Sequence, residues 1–145
     1  MAFQFSLDTV LRVRGIVEER EERLLQKILF EIAQTLESIA GIDAEIAKAD
    51  ASRNAEIFMP SIGHNLHASY GDLKSLKQRR LELAGNVEKL EGLRDRQFIV
   101  YAEARRNREM LTDMLEEKRG LYNGLLARSE QKTMDDNYIA RRGRI

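Results

Sequence analysis

From Leu73 to Leu125 the apolar residues of this chain keep one seven-residue repeat. Leu73, Leu76, Leu83, Val87, Leu90, Tyr101, Ala104, Leu111, Leu115, Tyr122 and Leu125 occupy its two core positions without a stutter. A strict seven-residue repeat places such residues along one side of a helix that supercoils left-handedly about a partner. Arg80, Arg94 and Arg108 take the same register, alternating with Val87, Tyr101 and Leu115. An arginine there costs packing, but its methylenes can lie along the seam while the guanidinium reaches water or a carboxylate opposite. The expected role of these arginines is to set register, and nothing supports a ligand role.

A stripe of that kind needs something to bury it. The first third of the chain supplies a second stripe, with Leu7, Val10, Val17, Leu24, Ile28, Ile32, Ile39, Ile42 and Ile46 at steps of three, four or their sums. Leu24, Ile28 and Ile32 make two consecutive four-residue steps, which predicts a stutter that locally relaxes the supercoil. Gly15, Gly41, Gly85, Gly92, Gly120 and Gly124 lie inside the helical stretches. Each costs on the order of 1 kcal/mol relative to alanine, so neither helix is expected to stand alone.

Between the stripes lies "FMPSIGHNLH", Phe58 to His67, which holds the only proline and both histidines. Pro60 donates no backbone hydrogen bond and biases Met59 away from the helical region, and Gly63 admits turn conformations. The stretch reads as a bend. His64 and His67 are three residues apart, but two imidazoles in a chain without cysteine do not close a tetrahedral metal site. They read as polar loop residues, and no metal is expected. Phe58, Met59 and Ile62 either close the end of the seam or form an apolar patch for a partner.

The fold expected is all-α: two long helices in an antiparallel coiled-coil hairpin, forming a single domain over 1–145. Helix 1 is expected over about 6–51, the bend over 52–68, helix 2 over 69–135, and a flexible tail over 136–145. Helix 1 is the shorter, so residues after about Leu115 progressively lose their partner. Ser129, Lys132 and Asp136 stand where core residues would continue, and Asn123-Gly124 is a turn signal at which the helix can hinge or end.

Composition narrows the function classes. Lys plus Arg equals Asp plus Glu, 24 against 24, so no bulk field draws the chain to nucleic acid or an anionic membrane. The clusters "KSLKQRR" and "ARRNR" sit among acidic neighbours without interleaved aromatics and read as solvated faces, as does "EEREER" at Glu18 to Arg23. No apolar run is long enough to span a bilayer, and "MAFQFSLDTV" lacks the pattern of a signal peptide. The absence of cysteine fits a reducing compartment. There is no phosphate-binding glycine loop, nucleophile elbow or cysteine nucleophile, and a two-helix hairpin offers no cleft to desolvate a reacting group. The expectation is a protein that is not an enzyme, with no catalytic residues and no cofactor.

Two stretches carry more than generic coiled-coil character. "FQFSLDTVLRVRGIVEEREERLL" joins a short aromatic start to a leucine and arginine segment and a mixed-charge run, and "SEQKTMDDNYIARR" closes the chain with a Gln-Lys pair, an acidic pair and arginines. Together they resemble the beginning and end of the flagellar FliJ family; the middle of the chain matches it only as coiled coil. The resemblance implies a cytoplasmic stalk of the type III export apparatus, associated peripherally with the inner-membrane flagellar base. Such a stalk binds and stimulates the hexameric export ATPase and links it to the cytoplasmic domain of the export gate, and a role with export chaperones is also implied. On that footing Arg141, Arg142 and Arg144 would meet acidic pore residues of the ATPase, with Phe3, Phe5, Leu7 and Leu11 as the apolar part of the same surface. Ile39, Ile42, Ile46, Phe58, Met59 and Tyr70 would contact the gate near the bend. A folded-back stalk is compatible with a monomer in isolation, which is the expected state. The rival readings are a structural coiled-coil tether whose seam is completed by a second copy, and the equivalent stalk of a virulence secretion system.

Overall fold

In the computed structural model the described residues are 2–57 and 63–143, with backbone alone described for 56–57 and 63–70. Two helices account for nearly all of them: α1, Asp8–Ile57, and α2, Gly63–Arg142. The chain is all-α among the described residues, and the helices pack against each other as antiparallel partners. Both outrun their predicted limits. Helix 1 ends at Ile57 rather than 51, and helix 2 begins at Gly63 rather than 69, so the bend expected over 52–68 is helical at both of its ends. Arg53 still lies partly buried, which shows the seam outlasting Ala51. At the far end α2 runs to Arg142, so the tail expected from 136 is helical as far as that residue. Pro60 and Ile62 lie outside the described residues, and nothing beyond backbone is described for Gly63, His64 and His67.

The start of α1 follows local chemistry. The Asp8 amide donates to the Phe5 carbonyl at 3.1 Å, and the Leu11 amide makes the first full helical bond to Leu7 at 2.8 Å. Asp8 then places a carboxylate in the first turn, where the helix dipole favours it, and pairs with Arg12 one turn on. Helix 1 therefore starts two residues later than Ser6.

Contacts divide the chain into two compact units, where the sequence predicts one domain. The middle unit is Glu21–Val100 and the terminal unit is Met1–Arg20 with Tyr101–Ile145. Side chains in a two-helix seam touch only their lateral neighbours, so no single core gathers residues distant along the helices.

In the middle unit the seam of α1 is Leu25, Ile28, Ile32, Thr35, Ile39, Ile42, Ile46, Ala49 and Arg53, every one buried or half-buried. Their spacing is strictly three and four in alternation. Facing them are Leu73, Leu76, Arg80, Leu83, Val87, Leu90, Arg94 and Gln97, the register expected for α2. The expected stutter is absent. Leu25 is 7% exposed and Leu24 is 45% exposed, so the step into Ile28 is three residues and the heptad continues. In a Leu-Leu pair either residue can be the knob; here the repeat fixed downstream selects the second. Val10 is likewise displaced from the seam to its flank, at 43% exposure.

In the terminal unit the seam joins Leu11 and Glu18 of α1 to Tyr101, Ala104, Arg108, Leu111 and Leu115 of α2. The segment ahead of α1 extends it, with Phe5 buried and Phe3 and Leu7 half-buried.

Two predictions follow from this packing. Leu25→Ala should destabilise the protein by about 2–3 kcal/mol, the lower range for truncating a buried leucine, while Leu24→Ala should cost about 1 kcal/mol or less. Urea unfolding of the two variants decides between them, and a larger loss at Leu24 would restore the stutter. No atom lies within 4 Å of a Cβ added at Gly41 or Gly92, and neither has a positive φ. Gly41→Ala and Gly92→Ala should each raise stability by about 0.5–1 kcal/mol, read as a higher urea midpoint.

Candidate functional site

The residues expected at an ATPase contact fall into two places on the terminal unit. Phe3 and Phe5 lie on α2. The Phe3 ring meets that of Tyr122 at 5.4 Å between centroids, tilted by 49°, and the Arg119 guanidinium lies 5.7 Å from the Phe3 ring. The Lys118 ammonium sits 5.6 Å over Phe5, which is only 8% exposed. Lys118 holds a core position of the α2 repeat, so the aromatic ring packs beneath its charge and the cation stays at the surface. Leu7 and Leu11 are half-buried. A groove of about 430 Å³ runs beside this strap, lined by Phe3, Gln4, Phe5, Asp8, Leu115 and Arg119.

Arg141 and Arg142 are exposed in the last turn of α2. They lie there at the C-terminal end of the helix, whose partial negative charge favours cations. Arg141 is nineteen residues beyond Tyr122 on one continuous helix, about 29 Å at 1.5 Å per residue. These arginines and the strap of Phe3, Phe5, Leu7 and Leu11 thus stand apart along the terminal unit, and the strap closes the seam. Arg144 lies outside the described residues.

Beyond Tyr122 the helix changes character. Every described residue from Asn123 to Gly143 is exposed. Asn123-Gly124 neither hinges nor ends the helix, which continues unbroken to Arg142. An isolated helix of this length is marginal because its first turn is costly to nucleate. Here the packed part of α2 has already nucleated it, and the extension only propagates. A local bond adds to it, from Gln131 Nε2 to Asp135 at 3.2 Å. Leu125, Leu126, Met134, Tyr138 and Ile139 are all exposed on this stretch.

The seam holds polar layers that the sequence reading placed in solvent. In the terminal unit Arg108 Nε donates to Glu18 at 2.6 Å, and Nη2 donates to the other carboxylate oxygen at 3.1 Å. The pair is bidentate and largely shielded, with the side chains 30% and 14% exposed. The Arg108 hydrogen bond holds the Glu18 carboxyl below its ordinary range, burial opposes it, and the positive charge of Arg108 lowers it further. The same bond raises Arg108. In the middle unit Gln97 Nε2 donates to the Glu21 carboxylate at 2.6 Å and to the Glu21 carbonyl at 3.1 Å, and Glu21 is the one buried charged residue among those described. Arg80 bonds Asp43 across the same unit, whereas Arg94 bonds the adjacent Asp95 at 3.2 Å. Two of the three seam arginines of α2 thus reach a carboxylate on the opposite helix, as their placement implied. The correction concerns "EEREER", in which Glu18 and Glu21 face inward. The missing signal was arithmetic: they stand seven and four residues before Leu25, the two core positions of the preceding repeat.

Of the residues expected at an export-gate contact, Ile39, Ile42 and Ile46 are consecutive seam residues, half-buried against α2. Phe58 and Met59 lie outside the described residues, as does the side chain of Tyr70. Among the described residues no helix is long and apolar enough to cross a membrane.

These features define a two-helix antiparallel coiled coil with polar layers in its seam and a single-helix extension at one end. Comparison of the chain with protein-family models, with curated proteins and with solved structures finds no match.

The Glu18 pair gives a pH prediction. A carboxyl depressed in the folded state contributes stability that is present above its unfolded pKa, near the ordinary 4.5, and lost as pH falls through the folded value. Glu18→Gln should therefore cost about 1.5–3 kcal/mol at pH 7, the range for a hydrogen bond to a charged group, and clearly less at pH 3, below the ordinary 4.5. A difference in urea midpoints that stays constant between those pH values would show that the pair does not form.

Proposed function

We propose that the chain is a non-enzymatic stalk of the flagellar type III export apparatus, binding and stimulating the hexameric export ATPase and linking it to the export gate, with a further role beside export chaperones. The observation that carries this reading is the α2 extension. One chain closes its own seam and still presents about 30 Å of single helix bearing exposed Leu125, Leu126, Met134, Tyr138, Ile139, Arg141 and Arg142. A helix of that kind can enter a ring and touch several subunits unequally. Contact alters the ring only if it binds some subunit states better than others, and an asymmetric rod meets that condition because its faces differ. The resemblance of both chain ends to the flagellar family supplies the identity of the ring.

On this reading the ATPase contact is the extension with Arg141, Arg142 and Arg144, while Phe3, Phe5, Leu7 and Leu11 brace its root. The gate contact is carried by Phe58, Met59 and Tyr70, with Ile39, Ile42 and Ile46 holding the helices beneath them. The protein works in the cytoplasm, peripheral to the inner-membrane flagellar base through protein contacts alone. A tether whose seam requires a second copy is less favoured, because α1 already fills the seam of α2.

Deletion of Met134 to Ile145 should abolish most stimulation of the cognate ATPase at moderate salt, with some retained at low salt where attraction between solvated charges is stronger. Unchanged stimulation and ring assembly in both conditions would reject the extension as the contact. A paired Phe58→Ala and Met59→Ala change should weaken gate binding and leave helicity and ATPase stimulation intact; equal loss of all three would mark those residues as structural.

A further inference from the structure

The terminal unit carries a second apolar stripe that its own seam does not use. On α1 it comprises Val10, Val13 and Val17, at a spacing of three and four; on α2 it comprises Met110, Met114 and Leu121. Val10, Val13, Met110, Met114 and Leu121 are 39–65% exposed. Val10, Val17, Met114 and Leu121 each immediately precede a seam residue, namely Leu11, Glu18, Leu115 and Tyr122. In an antiparallel pair those positions fall on the same side of both helices. The structure bears this out at Val17 and Asn107, which precede the paired Glu18 and Arg108 and are both half-buried. The two stripes therefore form one flank. A helix with apolar residues on two adjacent faces is built for two neighbours, as in a bundle.

We propose that the occupant of this flank is the same flank of a second copy of the chain, related by a two-fold axis parallel to the helices. The charges at its edges select that occupant. The contacts of Phe3 with Tyr122, Phe5 with Lys118 and Glu18 with Arg108 set the levels of the two helices. They bring Val13 level with the turn between Met110 and Met114, and Arg20 level with the turn that carries Glu103. The axis sets α1 of one copy against α2 of the other at unchanged level. Val13 then packs on Met110 of the second copy, Val10 on Met114, and Arg20 meets Glu103. Arg20 and Glu103 occupy the equivalent outward position on their helices and are both exposed, one positive and one negative, so each contact occurs twice by symmetry. The result is a four-helix arrangement that leaves the α2 extension of each copy free.

This goes beyond the export reading and replaces the monomer expected of a closed hairpin. It also differs from the rival tether, in which a second copy would complete the seam itself. Light scattering or sedimentation equilibrium of the full chain over roughly 1 to 100 µM, a span that brackets micromolar association, should give the mass of a dimer at the upper end. Val13→Asp should return the protein to a monomer with unchanged helicity by circular dichroism. Arg20→Glu and Glu103→Arg should each weaken association about tenfold or more, since each sets like charges together twice, and the two changes combined should restore it. A monomer across the whole range overturns the proposal, as it would if a foreign helix were the occupant. A dimer insensitive to Val13→Asp, or charge reversals that do not compensate, also overturns it.

Discussion

A pair of helices has one seam in which to bury apolar side chains, and this chain places charged residues inside it. Among the described residues seven apolar ones are buried: Phe5, Leu25, Ile32, Leu73, Leu83, Val87 and Ala104. Burial of so little surface distinguishes weakly between registers, because a shift of one whole repeat still sets leucine against isoleucine or valine. Glu18 and Glu21 reduce that ambiguity. A shift of seven residues would break both observed pairs, taking Glu18 from Arg108 and Glu21 from Gln97, and a hydrogen bond to a charged group is worth more than a lost methyl contact. The polar layers contribute modestly to stability and strongly to alignment, the use best attested for polar groups at coiled-coil core positions.

Alignment in turn decides what is left over. With α1 starting at Asp8, the strap of Phe3, Phe5 and Leu7 reaches Tyr122 and no further. Everything beyond is single helix. If the pairing moved by one repeat, the strap would meet a different turn of α2 and the extension would change length by about 10 Å. The length of helix offered to a partner is thus set by the same pairing as the ion pair within the terminal unit.

Much of the fold was legible in the residues. The register of α2 was read correctly from Leu73 to Tyr122, because apolar side chains hold most of its core positions and arginines, long enough to escape sideways, hold three more. Helix 1 was harder to read for a physical reason. Its upstream core positions are Glu18 and Glu21, so the apolar pattern runs instead through Val10, Val17 and Leu24 at the flank and predicts a stutter that does not exist. The aromatic strap was recognised as apolar surface, but its use was not: that Phe3 and Phe5 cover α2 depends on the chain turning at Asp8, a feature of backbone geometry. The extension is legible as unpartnered helix to about 135, and the difference lies in its last turns to Arg142, because a helix already propagating carries through Asn123-Gly124 and on past residues with no partner.

The alignment of α1 with α2 in the middle unit tests the account most directly, and a chain without cysteine permits a clean measurement. Cysteine pairs placed at Ile39 and Leu83, at Ile46 and Leu83, and at Ile39 and Leu76 leave Glu18, Glu21, Gln97 and Arg108 in place, and can be oxidised at low protein concentration and followed by electrophoretic mobility. Ser38 and Leu83 line one groove, so the first pair is level, and the other two stand one repeat away in either direction. The account predicts rapid intramolecular disulfide formation for the first pair and slow or negligible formation for the other two, with the shifted pairs gaining when Glu18, Glu21, Gln97 and Arg108 are all replaced by leucine. Equal rates for all three, or a preference unchanged by the leucine replacements, would contradict the claim that the polar layers fix the register.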